Sequence, residues 1–462
     1  MTHQEQDLRE FCATFKRFLD DVIEAVPQPQ PEFARALEDH FGQPPGRLPV
    51  VSQAMQSYQH VDLQAALDAF LAVEGRSHRL EGITNQEMHG DAVTLAALLS
   101  SSSLKPGPVE YLHVASGSES AVACVERGLY LVKQEERRWA LLIALRNDWR
   151  RELAVQVMAR SADEAERVLS ELRVLMRAKS VYRGKVLSLG ESPQRELVVH
   201  HHKLPKIEAD QLILPAGLRE RIERHTVVFA HRSAALAAAG RHLKRGLLLY
   251  GPPGTGKTLT AMYVASRMTG RTVLLLSGRG LGLLEASCAM ARALQPSTVI
   301  IEDVDLVAEE RTRLNNCNTP LLFELLNQMD GIAEDADVLF ILTTNRPDIL
   351  EPALAARPGR VDQAIEVPLP DAECRLRLLE LYARGLTLRV DRLAVFVDRT
   401  AGASAAFMRE LLRRAALIAT DEGTHGVVEE RHLDEAMREL VVAGGPLTRS
   451  LLGATKLGEG VG

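Results

Sequence analysis

The sequence is short of several things, and each shortage narrows its class. Its five cysteines (Cys12, Cys124, Cys288, Cys317 and Cys374) are scattered, odd in number and never spaced C-x-x-C. That usage favours reduced thiols in a cytosolic compartment and argues against a zinc site. No stretch approaches the length of a membrane-spanning helix. The start, Met1-Thr2-His3-Gln4-Glu5-Gln6-Asp7, lacks the basic and apolar regions of a signal peptide, so a cytoplasmic location is expected. No His-Glu-x-x-His stretch is present to make a zinc peptidase. With a formal net charge of −6, the chain also lacks the positive excess of a protein that coats nucleic acid, and no nucleic-acid partner is expected.

What is present is ordinary globular material. A hydrophobic share of 46% with 25% charged residues describes a chain that folds without metals or cross-links. Its 462 residues are too many for one core, so roughly two to four domains are expected. Residues 7–100 read as helical, from the apolar spacing of Leu8, Phe11, Phe15, Phe18 and Leu19 and of Leu63, Leu67, Phe70 and Leu71. Strands follow at Val109–Ala115, Ala121–Gln134, Trp139–Leu145 and Leu153–Met158, then a helix over Ala162–Lys179 and a strand closing at Ser188-Leu189-Gly190. This predicts a helical N-terminal region, 1–105, and a small α/β domain, 106–204. The run His200-His201-His202 fits either a metal site or a solvated linker. Past a linker at 205–224, strands at 272–276, 298–301, 338–343 and 364–367 alternate with helices. That alternation predicts a parallel, nucleotide-binding sheet over 225–370. Residues 371–443 read as helical, and 444–462 as a flexible tail.

One octapeptide carries chemistry. Gly251-Pro252-Pro253-Gly254-Thr255-Gly256-Lys257-Thr258 fits the phosphate-cradling loop G-x-x-x-x-G-K-[ST], between an apolar strand, 246–250, and a helix from Thr258 to Met268. Glycines let the loop fold tightly enough to aim backbone N–H groups at a phosphate, which the positive end of the helix also favours. Lys257 would reach the β- and γ-phosphates of a nucleoside triphosphate and the Thr258 hydroxyl would ligate Mg²⁺. Leu259, the next residue, is counted with this binding set.

A second strand must bring carboxylates to the same edge, and Val299-Ile300-Ile301-Glu302-Asp303-Val304-Asp305 supplies it. A third, Leu339-Phe340-Ile341-Leu342-Thr343-Thr344, delivers Asn345, which suits either a γ-phosphate contact or the capping of a turn before Pro347. Arg357 and Arg360 flank a Pro-Gly turn, a placement that suits a guanidinium presented to another subunit's phosphate or a solvated basic turn.

In this order, these segments together with Leu325-Leu326-Asn327-Gln328-Met329-Asp330-Gly331 resemble an AAA-type ATPase of the AAA+ superfamily, over about residues 225–440. The resemblance implies ATP and Mg²⁺ bound between a large α/β subdomain and a small helical lid, at the interfaces of a homo-oligomeric, usually hexameric, ring. It implies that Arg357 and Arg360 are arginine fingers and Asn345 a sensor. It also implies that residues 400–406 lie beside the adenine, with Tyr382 where some members have a ribose-contacting histidine.

Two departures stand out. Most members end the acidic strand in Asp-Glu, whereas this chain has Glu302-Asp303, so Glu302 would support the metal and Asp303, a methylene shorter than Glu, would activate water. The order is similar to that of the branch containing the mitochondrial translocase of the Rieske iron–sulfur protein. The family's aromatic pore loop is replaced by Ser277-Gly278-Arg279-Gly280-Leu281-Gly282-Leu283-Leu284, which has no aromatic; its leucines fit the packing of a helix on the sheet. The expectation is an ATPase that remodels, translocates or disassembles a protein client held by residues 1–204. The alternative is an ATP-gated oligomeric scaffold with little turnover.

Overall fold

The computed structural model describes residues 14–17, 30–85, 93–117, 119–145, 153–193, 196–305, 320–331, 336–348, 350, 361–424 and 426–443. They form two compact units, the first reaching Val181 with Glu191–Leu197 and the second made of Tyr182–Gly190 and the chain from Val198 onward.

The first unit is an antiparallel sheet of β1 (Val50–Met55), β2 (Arg76–Asn85), β3 (Leu104–Gly107), β4 (Glu110–Ala115), β5 (Ala121–Gln134), β6 (Arg137–Leu145) and β7 (Leu153–Met158). Their order is β1-β7-β6-β5-β2-β3, with β4 beside β5. Four helices cover it: α1 (Glu32–Phe41), α2 (His60–Leu71), α3 (Leu95–Ser100) and α4 (Ala162–Lys179). Phe33 and Leu37 of α1 and Leu95 and Leu98 of α3 pack on Leu129, Leu131 and Leu142. On the opposite face Leu63, Leu67 and Phe70 of α2 and Leu169 and Leu172 of α4 pack on Val132, Leu141 and Ile143. These strands and α4 fall where the sequence predicts them, but residues 7–100 are not uniformly helical, because β1 and β2 lie inside that span. Their periodicity is faint for a physical reason. β1 is an edge strand with Val50, Ser52 and Ala54 exposed and only Met55 buried, and the first residues of β2 are solvated, so neither carries an apolar face for the sequence to show.

The second unit is built on β8 (Val186–Glu191), β9 (Leu197–His202), β10 (Arg245–Tyr250), β11 (Thr272–Leu276), β12 (Ser297–Ile301), β13 (Val338–Thr344) and β14 (Gln363–Glu366), ordered β14-β10-β13-β12-β11-β8-β9. From β14 to β8 the pairing is parallel. Such a sheet is covered on both faces, and β12 and β13 are accordingly buried throughout. The strand at Ser188–Gly190 thus belongs to this sheet and not to the small α/β domain, since Val186 is opposite Val273. The span 205–224 is also more than a linker: Ile207, Leu212, Leu214 and Ile222 enter the core of this sheet, while Ile213 packs on the helical core that follows. Helices α5 (Leu218–His225), α6 (Val227–His231), α7 (Ser233–Ala238), α8 (Lys257–Arg267), α9 (Leu284–Ala293) and α10 (Pro320–Asp330) accompany the sheet, and Leu281 and Leu284 are buried at the start of α9.

The lid consists of α11 (Ala372–Tyr382), α12 (Leu393–Arg399), α13 (Ala405–Asp421) and α14 (Glu430–Arg438), with the short parallel pair β15 (Thr387–Arg389) and β16 (Val427–Glu429). Phe396, Phe407, Leu411 and Leu433 fill its core. Because β10, β12 and β13 run parallel, their C-terminal ends share one edge of the sheet, where ligands bind in open α/β folds. At the opposite edge buried Arg271 clamps the strand starts, donating to Asp337 Oδ1 at 2.6 Å, Ser297 O at 2.5 Å and Thr298 Oγ1 at 3.2 Å. Among the described residues, no helix is long and apolar enough to cross a membrane.

Candidate functional site

The loop after β10 is shaped by its glycines. Gly251, Gly254 and Gly256 have φ of 145°, 76° and 98°, a region that residues with a Cβ rarely enter. A side chain at Gly251 would lie 2.3 Å from the Val367 carbonyl oxygen, and one at Gly254 2.7 Å from Ser404 Oγ. Helix α8 begins at Lys257 with Gly256 as its cap and no side chain bonded to its first amides, so the loop and helix present backbone donors together. Lys257 is almost fully buried and folds back, its Nζ donating to Gly251 O at 2.9 Å and Pro252 O at 2.8 Å. Burial lowers its pKa to about 8, with Asp303 and Asp305 pulling the other way.

The end of β12 carries the acids. Burial raises the pKa of Glu302, a hydrogen bond with the Thr258 side chain opposes that shift, and neighbouring Asp303 adds to it. Glu302 Oε1 is buried without a hydrogen-bond partner. Asp303 takes the left-handed φ of 49°. Its N–H donates to Thr343 Oγ1 at 3.1 Å, and its Oδ1 accepts from Asn345 Nδ2 at 3.2 Å. Buried Asp305 accepts from Thr344 Oγ1 at 2.8 Å and from the Asn345 N–H at 3.2 Å.

A cleft of about 620 Å³ brings Lys257, Thr258, Asp303 and Asn345 together with Tyr382 and Arg409 of the lid. The lid is tied to the loop by Ala406 N–H, which donates to Gly254 O at 3.1 Å. Ser404 starts α13 there by accepting from Phe407 N–H at 3.2 Å. Glu410 accepts from Arg413 at 2.7 Å and Arg414 at 2.8 Å, and these guanidiniums hold its pKa down to about 2.

Residues 247–369 match the family described as "ATPase family associated with various cellular activities (AAA)". The chain carries an AAA domain. A proteasome-activating nucleotidase of Thermococcus gammatolerans is 35% identical over 233 residues, 47% of this chain and 57% of that protein. The ATP-dependent zinc metalloprotease FtsH 4 of Sphaerobacter thermophilus is 34% identical over 281 residues, 57% of this chain and 42% of that protein. The chain thus spans about half the length of the curated relatives it matches. Among solved structures, the FIGL-1 AAA domain in complex with ADP aligns with a TM-score of 0.42 and 24% identity, over 50% of this chain and 84% of that one.

Within the AAA domain, the fold brings Pro253, Gly254, Gly256, Lys257, Thr258 and Leu259 to the cleft with Asp303 and Asn345, while Glu302 meets the Thr258 hydroxyl. Gly251, Pro252 and Thr255 form the turn itself, Thr255 Oγ1 donating to Pro252 O at 3.0 Å. Arg357 and Arg360 lie outside the described residues. The sequence assigns no role to Thr343, Thr344, Asp305 or Arg409. The doublet before Asn345 and the third acid of Glu302-Asp303-Val304-Asp305 were visible signals for the first three. Nothing local marked Arg409, which reaches the cleft only because α13 starts against the loop.

Proposed function

We propose that this chain is an ATP-hydrolysing AAA-type ATPase that assembles into a homo-oligomeric, hexameric ring in the cytoplasm. It binds Mg-ATP at subunit interfaces, between a large subdomain at 225–370 and a lid at 371–443. Hydrolysis is coupled to remodelling, translocation or disassembly of a protein client held by residues 1–204. The observation that carries this reading is the cleft itself, where a lysine and a threonine from one helix converge with a carboxylate and an amide from two strand ends beside a glycine loop. A relative of the AAA domain that is named an ATP-dependent protease supports it.

In this reading the loop amides and Lys257 hold the phosphates. The orphaned buried oxygen of Glu302, next to the Thr258 hydroxyl, fits a cation, so these two residues would hold Mg²⁺, which would supply neutralisation of phosphate charge. Asp303 accepts a proton from the attacking water, Asn345 orients that water, and Arg357 and Arg360 reach the neighbouring subunit's nucleotide. Phosphate release from Mg-ATP tests the assignment. The wild-type protein should turn over and Lys257→Ala should lose about a hundredfold or more of that rate; undiminished release in the variant contradicts it.

The Glu302-Asp303 order, with its shorter base, favours one rival: a scaffold whose ring assembles on ATP with little turnover. ATP-dependent assembly with negligible phosphate release selects that reading.

A further inference from the structure

We infer that Asp305 is a positioning residue for ATP hydrolysis, holding Asn345 and through it Asp303 in place for the attacking water; this rests on the hydrolytic reading above. Asp305 is only 6% exposed. A carboxylate persists at such a depth where donors converge on it. Among the described residues, two donors reach it, both from the end of β13: Thr344 Oγ1 at 2.8 Å and the Asn345 N–H at 3.2 Å. The Thr344 hydroxyl has its direction fixed, because its oxygen accepts the Arg346 N–H at 3.0 Å and its proton is left for Asp305.

The side chain of Asn345 leaves from the same residue and donates to Asp303 at 3.2 Å. Thr343 closes the circuit by accepting the Asp303 N–H at 3.1 Å. The ends of β12 and β13 are therefore joined beyond their ladder by four cross-bonds, alternately through backbone and side chain. The circuit restrains Asp303 at a φ of 49°, a conformation that needs support from its surroundings. A base one methylene shorter than glutamate has less side chain with which to find its water, so its reach depends on where the backbone is held. Asp305 itself lies off the cleft, whose walls carry Asp303 and Asn345, so its hydrogen bonds reach the attacking water only through them.

The test uses the full chain with Asp305→Ala, Asp305→Asn, Thr344→Val and Thr344→Ser. It measures kcat and KM for Mg-ATP, calorimetric affinity for a non-hydrolysable ATP analogue without metal, and melting temperature. Asp305→Ala should lower kcat by about ten- to a hundredfold while changing analogue affinity by less than about threefold, the pattern of a displaced group in a formed site. Asp305→Asn, which keeps an acceptor oxygen, and Thr344→Ser, which keeps the hydroxyl, should each recover most of the rate; Thr344→Val should not. Combining Asp305→Ala with Asn345→Ala should cost no more than Asn345→Ala alone. Wild-type kcat in Asp305→Ala, additivity with Asn345→Ala, or a loss of analogue affinity that matches the loss of rate overturns the inference. Should Asp305→Ala fail to fold, Asp305→Asn and the Thr344 pair decide it. A wild-type protein without hydrolysis overturns the hydrolytic reading as well, whereas an active wild type indifferent to Asp305 overturns this inference alone.

Discussion

The side-chain amide of Asn345 donates to the carboxylate of Asp303 across 3.2 Å, joining the ends of two adjacent parallel strands at the floor of the cleft. An amide in that position keeps the carboxylate aimed, and two side chains that touch in this way should act as a unit.

Asp303→Asn should therefore remove the proton acceptor while preserving shape. Turnover is expected to fall by about a hundredfold or more with nucleotide affinity retained, as for loss of a general base. Rapid-quench kinetics with calorimetry checks both halves; an equal loss of affinity would assign Asp303 to binding.

Lys257 makes the site sensitive to pH. Its folded-state pKa of about 8 lies below the ordinary 10.5, so between those values the unfolded chain binds more protons and the nucleotide-free protein gains stability as pH rises. Phosphates favour the charged ammonium, so above about pH 8 binding takes up a proton and affinity falls, by up to about tenfold per pH unit. Calorimetry at alkaline pH in buffers of different ionisation enthalpy measures the uptake directly; none, with Lys257 present, contradicts the assignment.

Gly254→Ala should disturb the lid as well as the loop. Its φ is 76°, and the added carbon would sit 2.7 Å from Ser404 Oγ and 2.9 Å from the Ala406 side chain. The strain should cost about 1–3 kcal/mol. Thermal melting of the nucleotide-free protein checks this, and nucleotide affinity should fall with it.

Arg271→Ala should destabilise without touching the chemistry. It leaves Asp337 and the Ser297 carbonyl without their buried partner at the edge opposite the cleft, a loss of about 3–5 kcal/mol. Denaturant titration reads it. Removing Asp337 as well should add less than its separate cost.

Most of the second unit is legible in the sequence because its strands are buried on both faces: β10, β12 and β13 read as apolar runs ending in glycine, acid and amide. The site is legible for the same reason, since each run stops at the edge where its chemistry begins. The first unit is harder. β2 starts with Arg76-Ser77-His78-Arg79, whose polar character reflects solvent and not a loop, and β1 pairs on one side alone. The sheet to which β8 belongs is not legible in its own residues, because strand pairing is decided by distant partners: Val186 finds Val273 across the chain. In the sequence Asp305 reads as one more acid in a strand end, because its donors, Thr344 and Asn345, come from another strand.

Subunit complementation tests the central claim most directly. Lys257→Ala lacks the phosphate-binding lysine, and Arg357→Ala/Arg360→Ala lacks the guanidiniums offered to a neighbour, so each alone should release almost no phosphate. Mixed, they form interfaces in which an intact loop meets intact arginines, and phosphate release should reappear. A mixture as silent as its parts, or a double-arginine variant that by itself hydrolyses ATP at the full wild-type rate, would contradict a site completed between subunits.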